Sequence, residues 1–355
     1  MLRKSFIIFA GVIVLGATAR FLLNNRTMRP APMIDIGGLT MGGTWSVKLP
    51  ALPPSIKSVA QLESSIAFLL HRLDAEMSSY QPEGDLCKFN RGRTIDWHEV
   101  PAELAEVVAK ALQVSEESGG AFDVTVAPLV NLWGFGPDSH GKPLEKIPSD
   151  LEIKSALVHV GYRQLQCRLS PPALRKSDPE VSIDLGGIGK GFAADQVSIY
   201  LNSIGADHYL IAVGGELRAK GTSAAGIPWR VGIETPTADT RRIFQQVDLH
   251  EASLSTSGNY RNFFTLGGQS YCHEIDPQTG RPVVHVLASV SVIHSSGTYA
   301  DAMATALIVL GPERGFQLAQ KMDLAVLFII RGEDHFETRR TDRFEALVGQ
   351  RSNLR

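Results

Sequence analysis

Cysteine is scarce in this chain. Its 355 residues include three, Cys87, Cys167 and Cys272, so at most one bridge could form and a disulfide scaffold is excluded. No CxxC and no Cys/His pair stands at zinc spacing. An excess of either charge is missing as well: 35 Lys and Arg face 37 Asp and Glu, a formal net charge of −2. A near-neutral chain has no global electrostatic footprint for nucleic acid, and no nucleic-acid partner is expected. There is no repeat of fixed period, no low-complexity tract and no linker that cleanly divides the chain. Familiar signatures fail too. The stretch Asp184-Leu185-Gly186-Gly187-Ile188-Gly189-Lys190-Gly191 is glycine-rich, but Phe192 stands where a dinucleotide fingerprint needs its third glycine. Lys190 is followed by glycine, not by the Ser or Thr of a P-loop. HExxH and GxSxG do not occur.

What is present is a chain 44% apolar and 20% charged, enough to bury a sizeable core and too apolar for disorder. Glycine is plentiful at 33, with 19 prolines, which points to many tight turns. Residues 1–32 are set aside from the fold. Arg3 and Lys4 precede an apolar run from Ser5 to Ala19, and Ala17-Thr18-Ala19 has the small-x-small form of a cleavage site. That describes a secretory signal. The rival is an uncleaved anchor, because Phe21-Leu22-Leu23 lengthens the run past Arg20. Either reading places residues 33–355, read as one domain, outside the cytoplasm in a bacterial periplasm. The second attaches it to the inner membrane. No cysteine lies near this segment to take a lipid.

Along the rest of the chain, Thr44–Leu49 alternates as a first strand. Ser58 with Gln61 resembles a capping box, and Leu62, Ile66, Leu69, Leu70 and Leu73 follow at helical spacing. A second helix starts near Pro101 and stops at Gly119-Gly120. Gly134 to Asp150 reads as loop. Val181–Leu185 is expected as a short strand into Gly186-Gly187, followed by a helix that ends at Gly205. Further strands are expected at Tyr209–Val213, Trp229–Ile233, Phe244–Leu249, Leu287–Ile293 and Leu324–Ile330, with a helix over Thr298–Leu310 stopped by Gly311-Pro312. Helices and strands alternate only irregularly, and several strand pairs are close in sequence. This favours an α+β fold with mixed, largely antiparallel sheets over a doubly wound parallel sheet.

Two segments carry chemistry. In the glycine-rich stretch, glycines permit close approach of backbone to ligand, and a helix start leaves N–H groups unpaired. Those groups and the helix dipole attract anions, Lys190 adds a full charge, and Asp184 can accept hydrogen bonds from a sugar or base. A turn whose glycines serve packing alone fits the same residues. Asp301 and Thr305 are four apart and share one face of a helix. A carboxylate and a hydroxyl are hard ligands for Mg²⁺ or Ca²⁺, but an Asp near a helix start also simply answers the dipole.

Eight segments in order resemble the ApbE family, the FAD:protein FMN transferases. They are Met41-Gly42-Gly43-Thr44, Met77-Ser78-Ser79-Tyr80, Gly120-Ala121-Phe122-Asp123, the stretch Asp184–Gly191, Gly214-Gly215-Glu216, Ser255–Tyr260, His273–Gly280 and Asp301–Thr305. The resemblance implies that family's α+β, T-fold-related architecture. It also implies an enzyme that moves the FMN half of FAD onto a Thr or Ser hydroxyl of an acceptor protein, with Mg²⁺, and releases AMP. By position, Met41, Tyr80, Ala121, Phe122, Asp123, Asp184, Lys190 and Ile275 would contact FAD. Asp301, Thr305 and the carbonyls of Gly187 and Ala304 would hold the metal. The acceptors implied are flavin-carrying subunits of membrane redox complexes, of the Na⁺-pumping quinone reductase or Rnf type. The family often has alanine at Gly189. His273 is the candidate general base for the acceptor hydroxyl, because imidazole titrates near neutrality; a structural or ligand-orienting role fits it equally. Asp301 is expected near the helix surface. Asp276, before Pro277, reads as a turn former. The alternatives are a Mg²⁺-dependent FAD pyrophosphatase giving FMN and AMP, and a non-catalytic FAD-binding protein.

Overall fold

The alternating Thr44–Leu49 segment proves to be the second arm of a hairpin. In the computed structural model, which describes residues 33–139, 144–237 and 242–349, β1 (Ile34–Thr40) pairs antiparallel with β2 (Gly43–Leu49) around a turn at Met41 and Gly42. The N-terminal signal or anchor lies outside the described residues. Six more strands extend this hairpin into one eight-stranded sheet: β3 (Tyr209–Val213), β4 (Glu216–Lys220), β5 (Ala252–Gly258), β6 (Leu287–His294), β7 (Ala325–Arg331) and β8 (Phe336–Arg340). Their order across the sheet is their order along the chain, and each pairing is antiparallel. The expected α+β, antiparallel class is therefore what the chain adopts.

Side chains alternate across this sheet, so it buries two faces. Val47, Ile211, Val213, Val290, Val292, Val326 and Phe328 enter the main core. The long helices α1 (Val59–Met77), α3 (Gly189–Ser203) and α4 (Gly297–Lys321) cover that face, and α2 (Ala102–Glu117) packs on α4 and adds to the same core. The opposite face, with Leu254, Ile293, Leu327 and Ile329, is closed by the antiparallel pair of Trp229–Glu234 with Ile243–Leu249 and by Phe344 of the helix Asp342–Gly349. The three cysteines are free.

Local details depart from the sequence expectations for physical reasons. Ser58 caps α1 by accepting from the Gln61 N–H at 3.1 Å, but Gln61 Oε1 accepts from the Lys57 N–H at 2.8 Å, one residue outside a true capping box. The complete box lies in the expected loop, where Ser149 and Glu152 start a helix over Asp150–Leu157. Val181–Leu185 forms no paired strand among the described residues. Its polar groups go elsewhere: Asn90 bonds both the N–H and the carbonyl of Ile183, and the Val124 carbonyl takes the Asp184 N–H. Gly311 does break its helix, with φ at 80°, but the chain resumes helix at Pro312 and runs to Lys321.

The feature that positions the site is the crossing of α3 and α4. Asp195 of α3 accepts from the N–H groups of Gly297 and Thr298, at 2.8 and 2.9 Å, and so caps α4. In return, Asp301 of α4 accepts from the Gly191 N–H at 2.8 Å and satisfies the start of α3. Only glycine fits at 191, because a Cβ there would stand 2.2 Å from the Gly297 carbonyl oxygen and 2.7 Å from Asp301 Cβ.

Candidate active site

A cavity of about 780 Å³ opens beside this crossing. One wall is apolar and comes from Met77, Val126, Val130, Phe135 and Ile275. Another is charged and comes from the turn at Asp184–Lys190, from Glu216, and from Asp301 and Thr305 of α4. Of the residues singled out in the sequence, Met41, Tyr80, Asp184, Gly187, Lys190, His273, Ile275, Asp301 and Thr305 line the cavity together. Ala121, Phe122, Asp123 and Ala304 are not among its lining residues. Phe122 backs the wall: its ring edge lies 3.3 Å from where a Gly187 Cβ would be. The Asp123 carboxylate is consumed by the fold, accepting from the Thr125 N–H and hydroxyl and from the Tyr162 N–H at 2.6–2.8 Å. Ala304 is fully buried.

Tyr80 is largely exposed and its hydroxyl donates to the Phe135 carbonyl at 3.1 Å, leaving a ring face at the mouth. His273 follows a two-stranded ribbon, Phe263–Leu266 with Gln269–Cys272. Its Nε2 lies 3.6 Å from Glu274 Oε1, and its Nδ1 is buried with no hydrogen-bond partner. Asp276 is the turn former expected, accepting from the Gln278 N–H at 2.8 Å.

Asp301 corrects an expectation, since it is buried at 4% exposure and not near the surface. Thr305 Oγ1 lies 3.2 Å from Ser257 Oγ on β5. Glu216 and Glu274, to which the sequence reading gave no role, are buried in the same wall. The signal was available, because both stand inside matched segments. Burial pushes the carboxyls of Asp184, Glu274 and Asp301 above their ordinary range. Burial and then the charge of Asp301 push Glu216 to about 8. Burial disfavours the charge on Lys190, but Asp301, Glu216 and Glu274 outweigh it and raise its pKa. The wall is thus rich in carboxylates and poor in cations.

The model of the ApbE family matches residues 41–328. The chain belongs to the ApbE family. A Vibrio cholerae protein named FAD:protein FMN transferase is 36% identical over 336 residues, 95% of this chain and 99% of that protein. An Escherichia coli K12 protein of the same name is 34% identical over 352 residues, 97% and 99% of the two chains. The solved structure of the Vibrio cholerae flavin transferase ApbE superposes with a TM-score of 0.81 at 35% identity, covering 90% of this chain and all of that one. The apo Pseudomonas stutzeri flavinyl transferase ApbE gives 0.81 at 36% identity, covering 90% of this chain and 97% of that one.

For an ApbE-family wall of this kind the carboxylates set a pH dependence. The folded Glu216 titrates near 8, above its ordinary 4.5. Between those values the folded protein keeps a proton that the unfolded chain has released, so stability falls as pH rises through that window. The raised Asp184, Glu274 and Asp301 act in the same direction. The melting temperature of ligand-free protein in EDTA should therefore drop between about pH 6 and pH 8. A melting temperature that rises over this interval would contradict the electrostatics described.

Proposed function

We propose that this chain is an FAD:protein FMN transferase, which moves the FMN half of FAD onto a Thr or Ser hydroxyl of an acceptor protein. The observation that carries the reading is the cavity itself. It joins an apolar wall able to take a flavin ring to a charged wall able to take a pyrophosphate, on the fold shared with the named transferases.

In the reaction the acceptor oxygen bonds to the FMN phosphorus. The bond from that phosphorus to the bridging oxygen breaks, and AMP leaves with the electron pair. Lys190 and the N–H groups at the glycine-rich turn hold the phosphates and offset their charge. The His273 imidazole takes the hydroxyl proton at Nε2, and Glu274 beside it stabilises the imidazolium formed. Tyr80 and Ile275 border the flavin ring, with Met41 of the turn between β1 and β2. Asp184 accepts from the nucleotide, while Ala121, Phe122 and Asp123 shape the wall from behind.

The carboxylate-rich wall fits a divalent cation. Among the described residues no three His, Cys, Asp or Glu side chains converge on one point, so hydroxyl and carbonyl oxygens have to contribute. Gly187 leaves room for this, because a Cβ there would lie 2.9 Å from Thr305 Oγ1. Asp301, Thr305 and the carbonyls of Gly187 and Ala304 would hold Mg²⁺. When bound, the ion supplies positive charge against that building on the phosphates. For the acceptor, flavin-carrying subunits of the Na⁺-pumping quinone reductase or Rnf type are proposed. Export to the periplasm, with or without an inner-membrane attachment, rests on residues 1–32 alone.

The deciding experiment incubates the protein with FAD, Mg²⁺ and a flavin-free acceptor subunit of the quinone-reductase type, followed by intact-mass measurement. A mass gain of one FMN on the acceptor, with AMP released, is expected. FMN and AMP without acceptor labelling would mark a pyrophosphatase, and bound but intact FAD a carrier.

A further inference from the structure

A lysine ammonium sits on a flexible four-carbon stem, so a site that grips phosphate with one has to keep it aimed. Lys190 leaves the first turn of α3 and is held at stem and head. The stem crosses the turn between β3 and β4, at Gly214-Gly215. A Cβ on Gly214 would stand 2.5 Å from Lys190 Cδ and 3.3 Å from Cγ, so the stem lies where any other side chain would begin. Gly214 also has φ at 59°, which favours glycine. At the head, Lys190 Nζ lies 3.6 Å from Glu216 Oε1. The other oxygen of Glu216 is fixed by the main chain, accepting from the Thr256 N–H of β5 at 3.3 Å. Glu216 is 4% exposed. Burying a carboxylate in a sheet is costly, and an apolar residue at the start of β4 would pack without that cost.

We infer that Glu216 is a positioning residue for the transfer reaction: acting through Lys190, it holds the ammonium where the pyrophosphate of FAD is gripped, and the Gly214-Gly215 turn is shaped to admit the lysine stem. The inference rests on the transferase reading. One ion pair occupies one of the three N–H donors of an ammonium and leaves two for phosphate oxygens. Asp301 and Glu274 attract the same ammonium. A Glu216 anchored by the main chain decides between them and keeps Asp301 open for a cation.

The test is a double-mutant cycle on single-turnover FMN transfer at saturating FAD and above about pH 8, where Glu216 is ionised, using the quinone-reductase acceptor subunit, with FAD affinity measured alongside. Glu216→Gln is expected to slow transfer about tenfold and Lys190→Met about a hundredfold, and the double variant to be no slower than Lys190→Met alone. Losses that multiply, to about a thousandfold in the double variant, would overturn the inference, because Glu216 would then act independently of Lys190. Unchanged transfer by Glu216→Gln would overturn it as well. Gly214→Ala, at an exposed turn, gives a second route should Glu216→Gln fold poorly. It is expected to slow transfer only while Lys190 is present, and an undiminished loss in the Lys190→Met background would count against the inference. Wild-type protein that transfers nothing defeats the transferase reading itself. Wild-type transfer with a multiplicative cycle defeats only the role of Glu216.

Discussion

Asp301→Asn is expected to reduce FMN transfer at saturating Mg²⁺ by at least ~10³-fold, the equivalent of several kcal/mol of lost charge stabilisation at the phosphates. Asparagine is the informative substitution because Asp301 has a second task, accepting the Gly191 N–H at 2.8 Å. An amide oxygen can still accept that bond, whereas alanine would leave a buried donor unpaired and weaken the fold as well. Without Mg²⁺ the asparagine variant should be no less stable than wild type. The removed carboxylate is buried and raises its neighbour Glu216, so its loss relieves repulsion. Urea unfolding in EDTA checks this half, and single-turnover transfer the other. Near-normal transfer by a folded Asp301→Asn would take Asp301 out of the cation site.

His273→Ala should slow transfer by ~10²–10⁴-fold, the usual cost of losing a general base, while FAD affinity stays within a few-fold of wild type. The reason is a division of labour in the wall. On the proposed reading Lys190, the glycine-rich turn and the cation hold the pyrophosphate, and none of them needs an imidazole. His273 is half-exposed at the cavity edge, where an incoming hydroxyl can reach it, with Glu274 3.6 Å from Nε2 to stabilise the charged ring. Affinity by flavin fluorescence and rate by rapid quench should be measured on one preparation. Collapse of affinity with a normal rate at saturating FAD would make His273 a binding residue and send the search for the base elsewhere.

Elements that announce themselves by periodic burial were legible in the sequence. The spacing of Leu62, Ile66, Leu70 and Leu73 matches the buried stripe of α1, and Tyr209–Val213 is β3 to the residue. Elements whose physics is not apolar burial were missed. β1 carries Gly37-Gly38 and buries only Ile36, so it shows no alternation to read. β5 is built on Ser253, Ser255 and Ser257, which look like a loop by composition. Ser257 and Ser253 are small because α4 lies close over them, near Thr305 and Gly297, a requirement set by another part of the chain. The site divides in the same way. Family resemblance brought nine of its residues to one cavity, but position alone could not show that Asp123 is spent on Thr125 and Tyr162. Nor could it show that Glu216 is buried beside Lys190.

The reciprocal caps between α3 and α4 have a thermodynamic consequence. Asp195 starts α4 and Asp301 starts α3, with Gly191 pressed on Gly297 between them. The glycine-rich turn and the α4 face that carries Asp301 and Thr305 are therefore tied directly to each other, although 110 residues separate Gly191 from Asp301 in sequence. If both ligands bind as proposed, ordering that one imposes on this junction is in place when the other arrives. On the proposed reading nucleotide and cation would form a linked pair, in which each tightens the other by the same factor.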